Sequence, residues 1–155
     1  MTKRPSLLWV HGDMSPLGGA QRDILVALPA HMKKWEVTLA TLNAPREVRD
    51  VLEENGARLV TPEVPWIQPS GGLAEVSVSA GRSAVRRWRR MLVEAEGLTL
   101  RTALDQADAV MISSGVGSLE ILPVIPARLP MHAFLIEMHR GVHDDVLQRG
   151  LDGRL

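Results

Sequence analysis

The stretch SLLWVHGDMSPLGGAQRDILVAL, residues 6–28, predicts a buried strand, a glycine-containing loop and a helix, in that order. The four apolar residues at 7–10 are continuous, which is typical of a parallel strand covered by helices on both faces. After the loop, apolar residues recur at the spacing of one helix face: Ala20, Ile24, Ala27 and Leu28. Pro29 cannot continue a helix without the loss of a backbone hydrogen bond, so we expect an end or a kink there.

The rest of the chain repeats this alternation of strands and helices. Pro45 opens a second helix that Gly56 terminates, and helical spacing returns at residues 82–96 and again from Leu100. The other predicted strands cover residues 35–41, 57–61, 109–113 and 131–138. We therefore predict an α/β fold: a Rossmann-like open parallel sheet of order 3-2-1-4-5, with helices on both faces.

Composition narrows the class of protein. The 155 residues include 18 basic and 18 acidic side chains, so no net field favours nucleic acid or a membrane as partner. The absence of cysteine excludes disulfides, thiolate catalysis and cysteine-ligated metals. The apolar runs are too short for a signal peptide or a membrane span. The length predicts a single domain over residues 1–155, and the lack of cysteine and of an export signal predicts the cytoplasm. The tail from residue 139 contains a helical segment that is not followed by a further strand, so we expect the domain to be truncated.

Two further segments carry functional hypotheses. Residues 62–81 hold three prolines and three glycines, a long loop that we interpret as a binding loop. Five arginines then surround Trp88 without an acidic residue: Arg82, Arg86, Arg87, Arg89 and Arg90. Such a run is usually a solvated helix face, but Arg86, Arg87, Trp88 and Arg90 would also suit a peripheral contact with anionic lipid.

In an open α/β sheet, ligands bind beyond the carboxyl ends of the strands, where the strand order reverses. This rule selects three groups of polar residues that follow predicted strands. They are His11, Asp13 and the Gly18-Gly19 pair; Ser113 and Ser114; and His139 and Arg140. Gly18 and Gly19, before a helix, would present amides to a phosphate or simply form a tight turn.

Other chemistries find less support in the sequence. There is no Walker loop and no complete Gly-x-Gly-x-x-Gly motif, which disfavours a nicotinamide cofactor. The five histidines show no His-Glu-x-x-His spacing, so we expect no metal site. His139 is a catalytic or hydrogen-bonding candidate, or a histidine packed at a strand end, and Arg140 would pair with a phosphate or carboxylate.

The order of these pieces resembles the N-terminal domain of family 4 glycosyltransferases, which are retaining enzymes of the GT-B fold. The resemblance rests on His11 at a strand end, MSPLGGAQR at 14–22, ARLV at 57–60, ADAVMI at 107–112 and FLIEMH at 134–139. It implies two Rossmann-like domains around a cleft, of which this chain covers the acceptor-side one. The paired glutamates of the donor-side domain are absent from the chain, since Glu47 and Glu54 have six residues between them instead of seven.

The resemblance also implies roles for individual residues. Gly18 and Gly19 would bind the diphosphate of a nucleotide-sugar donor, and His139 would lie beside the transferred sugar as the catalytic residue. The acceptor, a sugar or a lipid, would contact side chains after the strands: His11, Asp13, Gln21, Ser113, Ser114 and Arg140. Catalysis would need no metal and no cofactor, but would need the chain's own C-terminal domain. Gln21 departs from the family's Gly-Gly-x-Glu pattern, and Ser113-Ser114 replaces the histidines of many relatives.

Two functions of different classes follow. The first is the acceptor-binding domain of a retaining glycosyltransferase, inactive without its donor domain. The second is a stand-alone Rossmann-like module that binds a small phosphorylated ligand without a reaction.

Overall fold

The computed structural model describes residues 3–15, 18–67 and 73–134, the side chains of residues 73–78 excepted. Its strands are β1 (Ser6–Val10), β2 (Glu36–Ala40), β3 (Arg58–Thr61), β4 (Glu96–Gly97), β5 (Ala109–Ser113) and β6 (Met131–Phe134). They form one sheet in the order β4-β3-β2-β1-β5-β6, parallel throughout except for the β3–β4 pair. The predicted α/β class and the order of the five predicted strands are confirmed. The short β4 is an addition that the sequence pattern did not predict.

The helices are α1 (Gly19–Met32), α2 (Arg46–Asn55), α3 (Leu73–Met91) and α4 (Leu100–Gln106), with a 3-10 helix at Leu119–Val124. The predicted boundaries of α2 hold, because Pro45 precedes its first turn and Gly56 follows it with a φ of +70°. The predicted end of the helix at Pro29 is wrong, since α1 continues through this exposed residue for another three residues, and the alternative of a kink there stays a prediction.

Two apolar layers cover opposite faces of the sheet, and the alternation along β1 separates them. Leu7 and Trp9 pack against α1 and α2, whereas Leu8 and Val10 pack against the layer that contains α3 and α4. All four are at most 6% exposed. A strand buried on both faces must be apolar at every position, which is why the run at 7–10 does not alternate with polar residues.

The predicted loop at 62–81 is wrong in its second half, because α3 already begins at Leu73. This helix ends at Met91, before the predicted end at residue 96. Small and polar residues at its start hid the helical pattern from the sequence analysis, whereas its buried stripe, Ala80, Ala84, Trp88 and Met91, follows helical spacing.

β6 follows β5 at the edge of the sheet, and its four residues are exposed. Within the described part of the chain, no helix is long and apolar enough to cross a membrane.

Candidate functional site

The candidate site lies where the strand order reverses, at the carboxyl ends of β1 and β5. Three segments meet there: the end of β1 at His11 and Gly12, residues 41–43 after β2, and the turn at 114–118 after β5. The Gly12 carbonyl accepts a hydrogen bond from the Leu42 amide at 2.8 Å, which joins the first two segments.

The turn at 114–118 is seated directly on the backbone of Gly12. The Gly12 amide donates to Oγ of Ser118 at 2.8 Å. A Cβ at position 12 would lie 2.0 Å from the Val116 carbonyl oxygen and 2.6 Å from the Ser118 nitrogen. Only glycine fits here, so Gly12 is what lets the turn after β5 close over the end of β1.

Two tryptophans hold the same turn from the side of α3. Nε1 of Trp88 donates to the Gly117 carbonyl at 2.7 Å, and Gly117 has a φ of +80°. Trp66 packs near Gly117 and donates from Nε1 to Oγ of Ser83 on α3 at 3.0 Å. The floor of the site is therefore built by backbone and tryptophan contacts that link elements distant in sequence.

His11 is buried beneath this turn, with only 1% of its surface exposed. Its ring packs on Gly115, where a Cβ would approach Cε1 to 2.6 Å, and neither ring nitrogen has a hydrogen-bond partner of good geometry among the described residues. Burial lowers the pKa of His11, an effect that the nearby backbone of Ser113 and Asp13 partly opposes. The neutral imidazole is thus the form that this environment favours. Direct acceptor contact by His11 is not compatible with this burial, and that prediction is corrected.

Asp13 and Gln21 organise the loop that leads into α1. Oδ1 of Asp13 accepts from the Ser15 amide at 2.8 Å. Burial raises the pKa of Asp13, and hydrogen bonds from the Ser15 backbone and the Asn43 side chain oppose the rise. Asp13 is half-buried, so part of the residue is accessible at this loop.

Gln21 uses both ends of its amide within the protein. Its Oε1 accepts from the Gly18 amide at 3.1 Å, and its Nε2 donates to the Asp13 carbonyl at 3.0 Å. The Gly18 amide is therefore already satisfied, while exposed Gly19 begins α1 with nothing within 4 Å of a Cβ built there. Of the predicted phosphate-binding pair, Gly19 is the residue with open space around it, and its binding role stays a prediction; Gln21 positions the loop.

The two serines after β5 have different environments. Ser113 is fully buried, and its Oγ accepts from Nε1 of Trp9 at 2.6 Å, so its predicted contact with an acceptor is corrected. Ser114 is half-buried, and its amide donates to the Phe134 carbonyl of β6 at 2.8 Å.

The predicted surface role of Trp88 is also corrected, because this side chain is fully buried and bonded to Gly117. The arginines around it lie on the other side of α3, where Arg86 and Arg90 are exposed and Arg87 is half-buried. The apolar anchor of the lipid-contact hypothesis is thus part of the core. The periodicity of the stripe that contains Trp88 would have revealed this from the sequence.

His139 and Arg140 lie outside the described residues, so their predicted roles stay predictions. Ser118, Trp66 and Gly117 build the site and were not singled out in the sequence. The GVGS run at 115–118 was the available signal, but its partner Gly12 is more than 100 positions away, and the spacing alone does not connect them.

Comparison with known proteins adds likeness of fold only. No protein-family model and no curated protein matches the chain. A solved structure described as the glycotransferase of kitacinnamycin matches with a TM-score of 0.52 and 15% identity over 98% of this chain and 37% of that one. The C-terminal domain of a hydrogenase from Pyrococcus furiosus matches with a TM-score of 0.48 and 19% identity, over 87% of this chain and 94% of that domain. This chain spans little more than a third of the length of the glycotransferase.

Proposed function

We propose that this chain is the acceptor-side domain of a retaining glycosyltransferase that uses a nucleotide-diphosphate sugar. The observation that carries the proposal is the position of α1, whose exposed start at Gly19 follows the loop that leaves the carboxyl end of β1 and is held to the Asp13 carbonyl through Gln21. A helix N-terminus at that edge is suited to an anionic group. The order of motifs along the chain and the fold likeness to a glycotransferase support the same assignment.

In the proposed reaction, the bond between the anomeric carbon and the diphosphate oxygen breaks, and negative charge develops on the departing diphosphate. An acceptor hydroxyl oxygen bonds to the anomeric carbon on the same face, and its proton passes to the released nucleoside diphosphate or to water. Backbone amides at Gly19 and the positive end of α1 would stabilise the developing charge. The donor domain would supply the rest of the site, as the chain's partner.

Other residues would act around this centre. His139 would lie beside the transferred sugar, while Asp13, Ser114 and Arg140 would bind the acceptor. His11 would act through the backbone, because its buried ring supports Gly115 rather than contacting the substrate.

The test is turnover of nucleotide sugars by the protein in which this domain is joined to its natural continuation. Gly19→Trp should lower the transfer rate about 100-fold or more, as expected when an anion-stabilising group is blocked. Ala30→Trp is the matched control, because it places the same bulk at an exposed position near the other end of α1. His139→Ala should also lower the rate, with folding verified by circular dichroism.

The proposal is abandoned if both Gly19→Trp and His139→Ala turn over at the wild-type rate. Saturable binding of a phosphorylated ligand without any transfer would instead identify the second candidate, a binding module.

A further inference from the structure

The polar face of α3 carries a cleft that the proposed transfer reaction does not use. The cleft has a volume of about 350 Å³ and is lined by Ser83, Arg86, Arg87 and Arg90. The opposite face of the helix is buried through Trp88 against Gly117, which fixes the orientation of the arginines. Because Trp66 joins Ser83 to the segment after β2, the cleft lies at the carboxyl edge of the sheet.

Each lining group is a hydrogen-bond donor that an anion can use. Oγ of Ser83 accepts from Trp66, so its own hydroxyl proton can be donated to a ligand. The three guanidinium groups are planar donors that match the oxygen atoms of a phosphate. Arg86 and Arg90 are four residues apart on one helix, and such like charges repel each other unless an anion lies between them.

The surrounding charges restrict where an anion would bind. Within the described residues, no carboxylate is within 4.0 Å of Arg86 or Arg87, while Arg90 pairs with Glu94 at 3.2 Å. An adjoining cavity of about 210 Å³ contains Glu63 and Glu94, and these carboxylates would repel an anion. An anion is therefore expected to bind in the cleft lined by Ser83, Arg86, Arg87 and Arg90 rather than in the adjoining cavity.

We propose that this arginine cleft binds a phosphate group of a ligand. The chain has no net charge, so the attraction is local to α3 and does not arise from an overall basic protein. The proposal does not rest on glycosyl transfer, and it applies to a soluble phosphorylated molecule as well as to a phospholipid headgroup, since both offer the same oxygen atoms.

The test titrates the chain with inorganic diphosphate by isothermal calorimetry at an ionic strength of about 0.15 M, where charges more than about 8 Å apart are largely screened. Arg86→Gln with Arg87→Gln should weaken binding about tenfold or more, because two charge-assisted contacts are lost. Arg46→Gln with Arg101→Gln is the matched control, since it removes the same charge from exposed positions on α2 and α4. This control should change the affinity less than about twofold, as screened distant charges do.

A second arm identifies the source of the phosphate, with vesicles of phosphatidylcholine that contain phosphatidylglycerol. Binding of either probe supports the proposal when Arg86→Gln with Arg87→Gln weakens that binding about tenfold or more and Arg46→Gln with Arg101→Gln does not. Binding of diphosphate alone indicates a soluble ligand, and binding of vesicles alone indicates a headgroup. The diphosphate titrations are repeated in the Gly19→Trp background, which blocks the proposed donor site, so that the diphosphate bound in this background is attributed to the cleft. The proposal is overturned if wild-type chain binds neither probe, or if the two double variants lose affinity equally.

Discussion

Gly12→Ala should destabilise the protein strongly, because the added methyl group has no space that side-chain motion can provide. Its Cβ would lie 2.0 Å from the Val116 carbonyl oxygen, 2.5 Å from the Gly117 carbonyl carbon and 2.6 Å from the Ser118 nitrogen. All three are backbone atoms, so the turn must move away, and the hydrogen bond from the Gly12 amide to Ser118 is lost with it. Overpacking costs about 1–3 kcal/mol and the broken buried hydrogen bond about 1–3 kcal/mol more, so we expect a loss of about 2–6 kcal/mol.

The assay is urea unfolding followed by circular dichroism, together with thermal melting. In a chain of 155 residues the expected loss corresponds to a fall in Tm of roughly 5–20 °C. Gly19→Ala is the matched control, because a Cβ there meets nothing within 4 Å and the backbone is helical. It should leave Tm unchanged or raise it slightly. If Gly12→Ala melts together with Gly19→Ala, the turn is not seated on Gly12 and the account of the site is wrong.

Three further variants test other contacts. Burial lowers the pKa of His11 below its ordinary 6.5, so the unfolded chain binds a proton here at a higher pH than the folded chain does. The free energy of unfolding should therefore decrease from pH 7 towards pH 5. His11→Asn should flatten that slope in urea unfolding, whereas His132→Asn, at an exposed position, should retain it. Trp88→Phe should cost about 1–3 kcal/mol by leaving the Gly117 carbonyl without its buried donor, with a lower urea midpoint as the readout. Gln21→Ala should cost about 1 kcal/mol and speed amide exchange at the start of α1, because the two backbone contacts of its side-chain amide disappear; unchanged exchange would show that Gln21 does not hold the loop.

The turn at 114–118, seated on Gly12, restricts which groups of the candidate site a ligand can contact. The turn at 114–118 fills the reversal point with backbone and covers His11, so under the proposed function a ligand would contact the start of α1 and the carboxyl of Asp13 rather than the imidazole. A site of this composition is suited to holding a charged group by fixed dipoles. Proton transfer would have to come from residues beyond the buried floor.

The sequence pattern located the ends of β1, β2, β3 and β5 to within one residue but did not separate exposed from buried polar residues there. His11 and Ser113 follow or end strands in the same way as Asp13 and Ser114, yet only the second pair is partly accessible. The difference depends on Trp9 and on the turn at 114–118, which belong to the strand neighbouring the residue that each covers but are far from it in the sequence.

The sequence by itself determined the α/β class and the order of the five longer strands, because a strand covered on both faces must be continuously apolar and parallel strands need helical crossovers. Only the tertiary structure decided which polar groups reach the surface, where α3 begins and that β4 pairs with β3. The hydrogen-bond acceptor of Trp88 is 29 residues away in the sequence, and Ser118, the acceptor for the Gly12 amide, is 106 residues away. These contacts therefore exist only once the sheet has assembled. Local spacing encodes which face of an element is apolar, whereas the partner that covers each polar atom is set by the packing of distant segments.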